Sequence, residues 1–222
     1  MATESAISNT VGRESLRLGR VGVAACGVGA LVLYVGAALS FADPLGGSST
    51  AAEAATRLQD STIERAVLLF GGYLLCALVI VAALAEALRG GGAARRIVPA
   101  LGVAHLFLFA LSVAGFAAAR GVATMFDGEA GPASLAAGLV VSNAAFPLAQ
   151  WAGAGFGVAV LLASRPLGGR LRGLGIAAAA VGLGLLVPPI GWAVLYLTPL
   201  WFAAAGILLA TGARRPSAAV AR

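Results

Sequence analysis

His105 is the only histidine among 222 residues, and it lies well inside a long apolar run. An ionisable side chain at that position points to function by default, because a hydrocarbon environment makes it costly to keep. A neutral imidazole hydrogen-bonded to a neighbouring helix fills the same position with no chemistry, and that reading is favoured. Bis-histidine haem ligation within the chain needs a second histidine. Zinc needs three or four ligands, and no Cys, Asp or Glu falls at matching spacing around His105. No metal and no cofactor is expected.

Ser112 stands seven residues beyond His105, which places both on one face of a helix. Asn143 and Gln150 repeat that spacing further on. Counting from the arginine-flanked helix ends sets Ser112 and Gln150 at nearly the same depth. With Tyr73, these five residues define a candidate polar cavity between the second, third and fourth apolar runs. The competing reading, which is favoured, is interhelical hydrogen bonding worth about 0.6–2 kcal/mol per bond. Glu86 precedes Arg89 by three residues, a spacing that favours a local ion pair. Antiparallel pairing sets Glu86 level with Pro99, roughly 9 Å along the axis from His105, so no direct proton relay between them is expected.

Cys26 and Cys76 both lie in apolar runs. The same counting separates them by six or seven residues in depth, roughly 10 Å. A disulfide needs Cα atoms within about 7 Å, so both read as small apolar residues. No G-x-S-x-G, H-E-x-x-H, phosphate loop or dinucleotide fingerprint is present. Asp127-Gly128 reads as a turn.

The elements that position these residues follow from composition. The chain is 60% hydrophobic and 11% charged, with a mean hydropathy of +0.95. Soluble domains carry about 25% charged residues, so lipid is the expected solvent. The runs Ala66–Leu88 and Ile97–Ala119 flank the turn RGGGAARR, and each is long enough to cross a hydrocarbon core of roughly 30 Å as a helix. Val21–Ala42 is another uncharged run, ended by Asp43-Pro44; it exceeds the usual length of a signal-peptide core, so it is read as retained. The 32 uncharged residues from Ala133 to Ser164 exceed one upright span, which predicts an interfacial piece near 133–141 before a helix with Pro147 in its first turns. The 41 uncharged residues from Gly173 to Ala213 predict two crossings broken at Pro188-Pro189, with Trp192 and Tyr196 in an aromatic belt.

The expected fold is all-α: a polytopic transmembrane bundle of six helices over about 21–42, 62–88, 97–119, 143–164, 173–190 and 193–212. Residues 1–20 form a cytoplasmic tail, disordered over its first dozen positions, and 214–222 a second tail. Between the first two spans, Thr50-Ala-Ala-Glu53 and Ser61-Thr-Ile-Glu64 match the capping box. The first opens a short outer-surface helix over 51–59, and the second opens the next span.

Threading six helices with both termini inside collects twelve of the fifteen arginines on one face: Arg13, Arg17, Arg20, Arg89, Arg95, Arg96, Arg165, Arg170, Arg172, Arg214, Arg215 and Arg222. Only Arg57, Arg65 and Arg120 fall on the other face, while six of the nine acids do. Short arginine-rich loops stay cytoplasmic, so the arrangement is N-in and C-in. Such a face attracts anionic lipid, although setting topology is sufficient reason for it. The formal charge of +6 brings no basic helix with interleaved aromatics, so nucleic acid is not expected as a partner. Gly153-Ala-Gly-Phe-Gly157 and Ala178-x-x-x-Gly182 are small-residue motifs suited to close helix packing, within the bundle or in a homo-oligomer.

Several stretches carry a resemblance. They are STAAEAATRLQDSTIERAVLLFGG, ALAEALRGGGAARR, LLASRPLGGRLRGLGIAAAAVGL and PLWFAAAGILLATGARR, about half the chain. The layout resembles small six-helix bacterial membrane proteins classed only as a domain of unknown function. The resemblance implies six helices and a bacterial inner-membrane location. It implies no activity and transfers no functional residue.

The function expected from these features is that of a non-enzymatic accessory or interaction protein packed against another membrane protein. The alternative is a small transporter or a lipid or small-molecule binder using His105, Ser112, Asn143, Gln150 and Tyr73. An enzyme built on Glu86, Arg89 and Arg95 is the third and weakest reading.

Overall fold

The computed structural model describes residues 2–40, 53, 56, 62–125 and 132–211, and not the side chains of 2–18, 132–135, 188, 189 and 192. Seven α-helices are described: α1 (Ala2–Ser40), α2 (Ile63–Ala87), α3 (Val98–Met125), α4 (Pro132–Ser164), α5 (Gly169–Gly184), α6 (Pro188–Leu195) and α7 (Leu197–Thr211). Short 3-10 turns at Ala93–Arg96 and Arg165–Leu167 lead into α3 and α5. No strand occurs among the described residues. A backbone in lipid must satisfy its own polar groups, and the helix does so within one segment.

Five helical stretches are long and apolar enough to cross a membrane: Gly19–Ser40, Ile63–Ala87, Ala93–Met125, Ala136–Leu167 and Ala193–Thr211. The expected all-α bundle and the first four apolar spans are present. The fifth expected span, 173–190, differs. Helix α5 has 16 residues, about 24 Å at 1.5 Å per residue, short of a hydrocarbon core. The chain turns at Leu185–Val187, and Pro188 opens α6 instead of closing α5. Proline tolerates the first turn of a helix because its missing N–H has no intrahelical partner there.

Two other expected boundaries are overturned. The interfacial piece at 133–141 and the helix at 143–164 are one continuous helix of 33 residues, with Pro147 in its interior. Its length is about 50 Å, more than an upright span needs. Helix α3 continues past Ala119 through Arg120 to Met125. The N-terminal segment, expected to be disordered at first, is helical from Ala2. The short helix expected over 51–59 lies outside the described residues except Glu53 and Thr56, which are helical. Ser61 and the Asp127-Gly128 turn also lie outside them. The residue capping α2 is Thr62, which makes no side-chain cap bond. Its hydroxyl instead donates to the Ser40 carbonyl at 2.5 Å, tying the end of α1 to the start of α2.

Neighbours in space largely follow chain order: α1 packs on α2, α2 on α3, α3 on α4, and α4 on α5, while α7 closes back on α1. The core is aromatic where α1, α2, α3 and α7 meet. The Tyr34 ring lies 5.2 Å from Tyr73, 5.6 Å from Phe70 and 6.4 Å from Phe109, and Tyr73 lies 6.3 Å from Phe202. Most of these contacts are edge-to-face, which the ring quadrupole favours. Tyr196 is more than half exposed and touches Tyr34 at 5.9 Å.

The α1–α2 register corrects the reading of the cysteines. Leu33 packs on Gly72, Leu69 packs against Gly36, and Cys76 Sγ sits against Gly29. Gly29 is one helical turn from Cys26, and the Cys26 and Cys76 side chains interact directly. Depth counted from the first uncharged residue misplaces α1, because that helix continues unbroken through its charged segment. The Ser40–Thr62 end sets the register instead.

The arginine-rich turn is shaped by glycine. Gly92 has φ 65°, which an L side chain rarely adopts. Gly91 packs directly on the Ala163 carbonyl of α4, and any Cβ there overlaps it. The positive φ of Gly92 and the close approach of Gly91 fold the turn between α2 and α3 onto the end of α4.

Candidate functional site

The buried face of α4 decides which polar groups turn inward. Ser142, Ala145, Ala149, Gly153, Phe156 and Val160 are buried, at helical spacings of three and four. Asn143 lies one position, about 100°, off that stripe and is exposed, while Gln150 is half-buried. The expected pairing of Ser112 with Gln150 therefore fails. Ser112 meets Ser142 instead, 3.2 Å between hydroxyls and 3.3 Å from the Ser112 hydroxyl to the Ser142 carbonyl. His105 meets Ala149, with Nδ1 2.8 Å from its carbonyl oxygen. Gln150 sits near Gly191 of α6.

The five candidate cavity residues thus separate. His105 and Ser112 share a face of α3, as their spacing predicts, and both are buried. Each is engaged with a different turn of α4. Tyr73 is buried in the aromatic cluster, away from Asn143 on the outside of α4. Glu86 and Arg89 form the expected ion pair. Both side chains are mostly exposed, so the pair contributes little to stability.

Small residues admit the polar contacts. A Cβ on Gly153 meets His105 Nδ1 at 2.8 Å, so the imidazole occupies the space a larger residue at 153 would fill. Gly182 faces the Gly153 carbonyl and Ala154, and Gly157 packs against the Ala178 carbonyl and Ala179. The two small-residue motifs therefore face each other across the α4–α5 contact.

Behind the imidazole is a cavity of about 20 Å³, bounded by His105, Thr198, Leu185, Trp201 and Phe202 among others. One water needs about 10–15 Å³ on that measure, so the space holds one and excludes a molecule of several heavy atoms. Thr198 is 7% exposed and its hydroxyl has no hydrogen-bond partner. It was not among the sequence candidates. The mixed run Leu197-Thr198-Pro199 reads as a helix start, and nothing local relates it to His105, 93 positions earlier.

A second recess of about 320 Å³ lies at the bundle end opposite the arginine-rich turns, lined by Ile63, Glu64, Ala117, Arg120, Gly121, Thr124 and Met125. Arg120 NH1 donates to Glu64 Oε1. The arginine side chain is 17% exposed and the glutamate 79%. Thr124 donates to the Arg120 carbonyl at 2.9 Å. Ending the third span before Arg120 hides this pair; extending the helix one turn brings Arg120 and Thr124 onto one face.

No group of three or more His, Cys, Asp or Glu able to hold a metal occurs among the described residues. Comparison with protein-family models, curated proteins and solved structures gives no match.

Proposed function

We propose that this chain is a non-enzymatic integral membrane protein that acts as an accessory subunit, crossing a bacterial inner membrane six times with both termini in the cytoplasm. The observation that carries this reading is how its buried polar groups are used. His105 and Ser112 are each engaged with a facing helix, and the space beside His105 is water-sized. Ligand pockets run to about 300–1,000 Å³. The distribution of arginines supports the orientation, and the apolar belt of exposed residues such as Phe107 and Trp151 suits a lipid setting. In this arrangement α5, with α6 packed back against its end, supplies the fifth crossing, and anionic lipid lies at the cytoplasmic face.

The experiment is extraction of the protein from its native membrane in lipid nanodiscs, followed by native mass spectrometry. A discrete heteromeric species of fixed stoichiometry is expected. A lipid-solvated monomer alone contradicts the accessory role.

A second reading has one observation in its favour. The recess at Glu64, Arg120 and Thr124 has ligand-sized volume and a mostly buried arginine. A small-molecule or lipid binder would use that recess, not the five residues expected from the sequence. Native mass spectra of the wild type carrying a bound small molecule that disappears in Arg120→Gln would favour it.

A further inference from the structure

The cavity behind His105 joins two polar groups that lie far apart in the chain. The Nδ1 atom of His105 is 2.8 Å from the Ala149 carbonyl. A carbonyl only accepts, so Nδ1 carries a hydrogen, and in the neutral ring Nε2 then bears a lone pair. Thr198 lines the same cavity, and its hydroxyl, one donor and two acceptors, is buried with no hydrogen-bond partner. A buried hydroxyl without a partner is costly. In helices, threonine commonly returns its hydroxyl to a preceding carbonyl, as Thr124 and Thr211 do here. Thr198 does not.

The rest of the cavity wall is apolar or glycine: Phe156, Leu185, Trp201 and Phe202, with Gly153 and Gly182. The Trp201 N–H is already used, donating to the Leu174 carbonyl at 3.2 Å. That leaves His105 and Thr198 as the lining residues with an uncommitted polar side-chain group beside a volume of about 20 Å³. A buried water needs a polar site of at least one probe sphere and two to four partners.

We propose that this cavity is a binding site for a single water molecule, which donates to His105 Nε2 and hydrogen-bonds the Thr198 hydroxyl, linking α3 to α7 through the bundle interior. The site fixes the imidazole from both sides: Ala149 holds Nδ1 and the water holds Nε2. It also anchors the first turn of α7 just after the short α6.

The direct test uses the fact that His105 is the only histidine, so a histidine-labelled sample reconstituted in lipid gives one imidazole signal set. In magic-angle-spinning NMR, Nε2 is expected at a hydrogen-bonded acceptor position, with magnetisation transfer from a slowly exchanging water. Thr198→Val keeps the side-chain shape and removes the hydroxyl. It is expected to move the Nε2 signal and leave Nδ1 in place. A free lone-pair position for Nε2 with no water transfer overturns the proposal.

Thermal unfolding in the same lipid supplies an independent sign test. If water links the two groups, Thr198→Val lowers the midpoint by roughly 2–4 °C, and the effects of Thr198→Val and His105→Leu are less than additive. If Thr198 is an isolated hydroxyl in a dry cavity, the valine variant is at least as stable as the wild type, and the proposal fails.

Discussion

At the scale of single residues, the close contacts of α4 and α5 tolerate no added atoms. Gly157 lies on the Ala178 backbone, so a methyl group there must displace a helix. Overpacking of this kind costs typically 1–3 kcal/mol. Gly157→Ala is therefore expected to lower the unfolding midpoint in detergent by several degrees. Gly71 on α2 has nothing within 4 Å of an added Cβ, and alanine is the better helix former by about 1 kcal/mol. Gly71→Ala is expected to be neutral or stabilising, and a loss equal to that of Gly157→Ala would contradict the packing described. The Ser112–Ser142 contact is a second local case. Each serine replaced by alanine is expected to cost about 0.6 kcal/mol or less, the average for such bonds in a membrane bundle, and the double variant no more than either single one.

The candidate site was half legible at this scale. The spacing of seven correctly places His105 and Ser112 on one face, and it also relates Asn143 to Gln150. It does not say which face of α4 turns inward. The small residues Gly138, Ser142, Ala145, Ala149 and Gly153, at steps of three and four, carry that information. Helix packing in lipid follows small residues more than polar ones, so the inward stripe contains Ser142 and excludes Asn143. Thr198 was not legible, since its partner is set by the closure of α7 onto the bundle.

At the scale of elements, helix register decides what meets. Charge boundaries located the apolar spans well, and they located helix ends poorly. Helices α1, α3 and α4 all run beyond the limits drawn from charge or span length, because a helical backbone continues wherever its own hydrogen bonds are retained. Depths counted from those limits were in error by several residues, enough to separate Cys26 from Cys76. The structure brings the two side chains together across the α1–α2 contact. A lipid-soluble oxidant such as iodine is therefore expected to form an intramolecular disulfide, seen as loss of both thiols to maleimide labelling after unfolding. Retention of both free thiols would contradict the register. The Glu64–Arg120 pair joins α2 to α3 at the opposite end from the arginine-rich turns. Arg120→Gln is expected to destabilise the bundle more than Arg89→Gln, since Arg120 is largely buried and Arg89 exposed. Equal effects in thermal unfolding would argue against a structural role for the pair.

For the whole molecule, the all-helical class and the multi-pass layout follow from composition, and five helical stretches have spanning length. The last third of the chain was harder to read. A run of 41 uncharged residues fits two crossings by length alone, and the structure divides it into α5, α6 and α7. Proline's preference for the first turn of a helix places the reversal before Pro188, where the dipeptide alone suggested a break after a full span. The number of crossings therefore turns on whether α5, with α6 folded back on its end, carries the chain across. The most direct measurement places single cysteines in the N-terminal tail, the C-terminal tail and the Gly90–Arg96 turn of a variant lacking Cys26 and Cys76, and labels them with a membrane-impermeant maleimide in oriented vesicles. Six crossings predict that all three positions label from the same side. Labelling of the two tails from opposite sides would contradict the account, leaving a five-span protein in which α5 does not contribute a crossing.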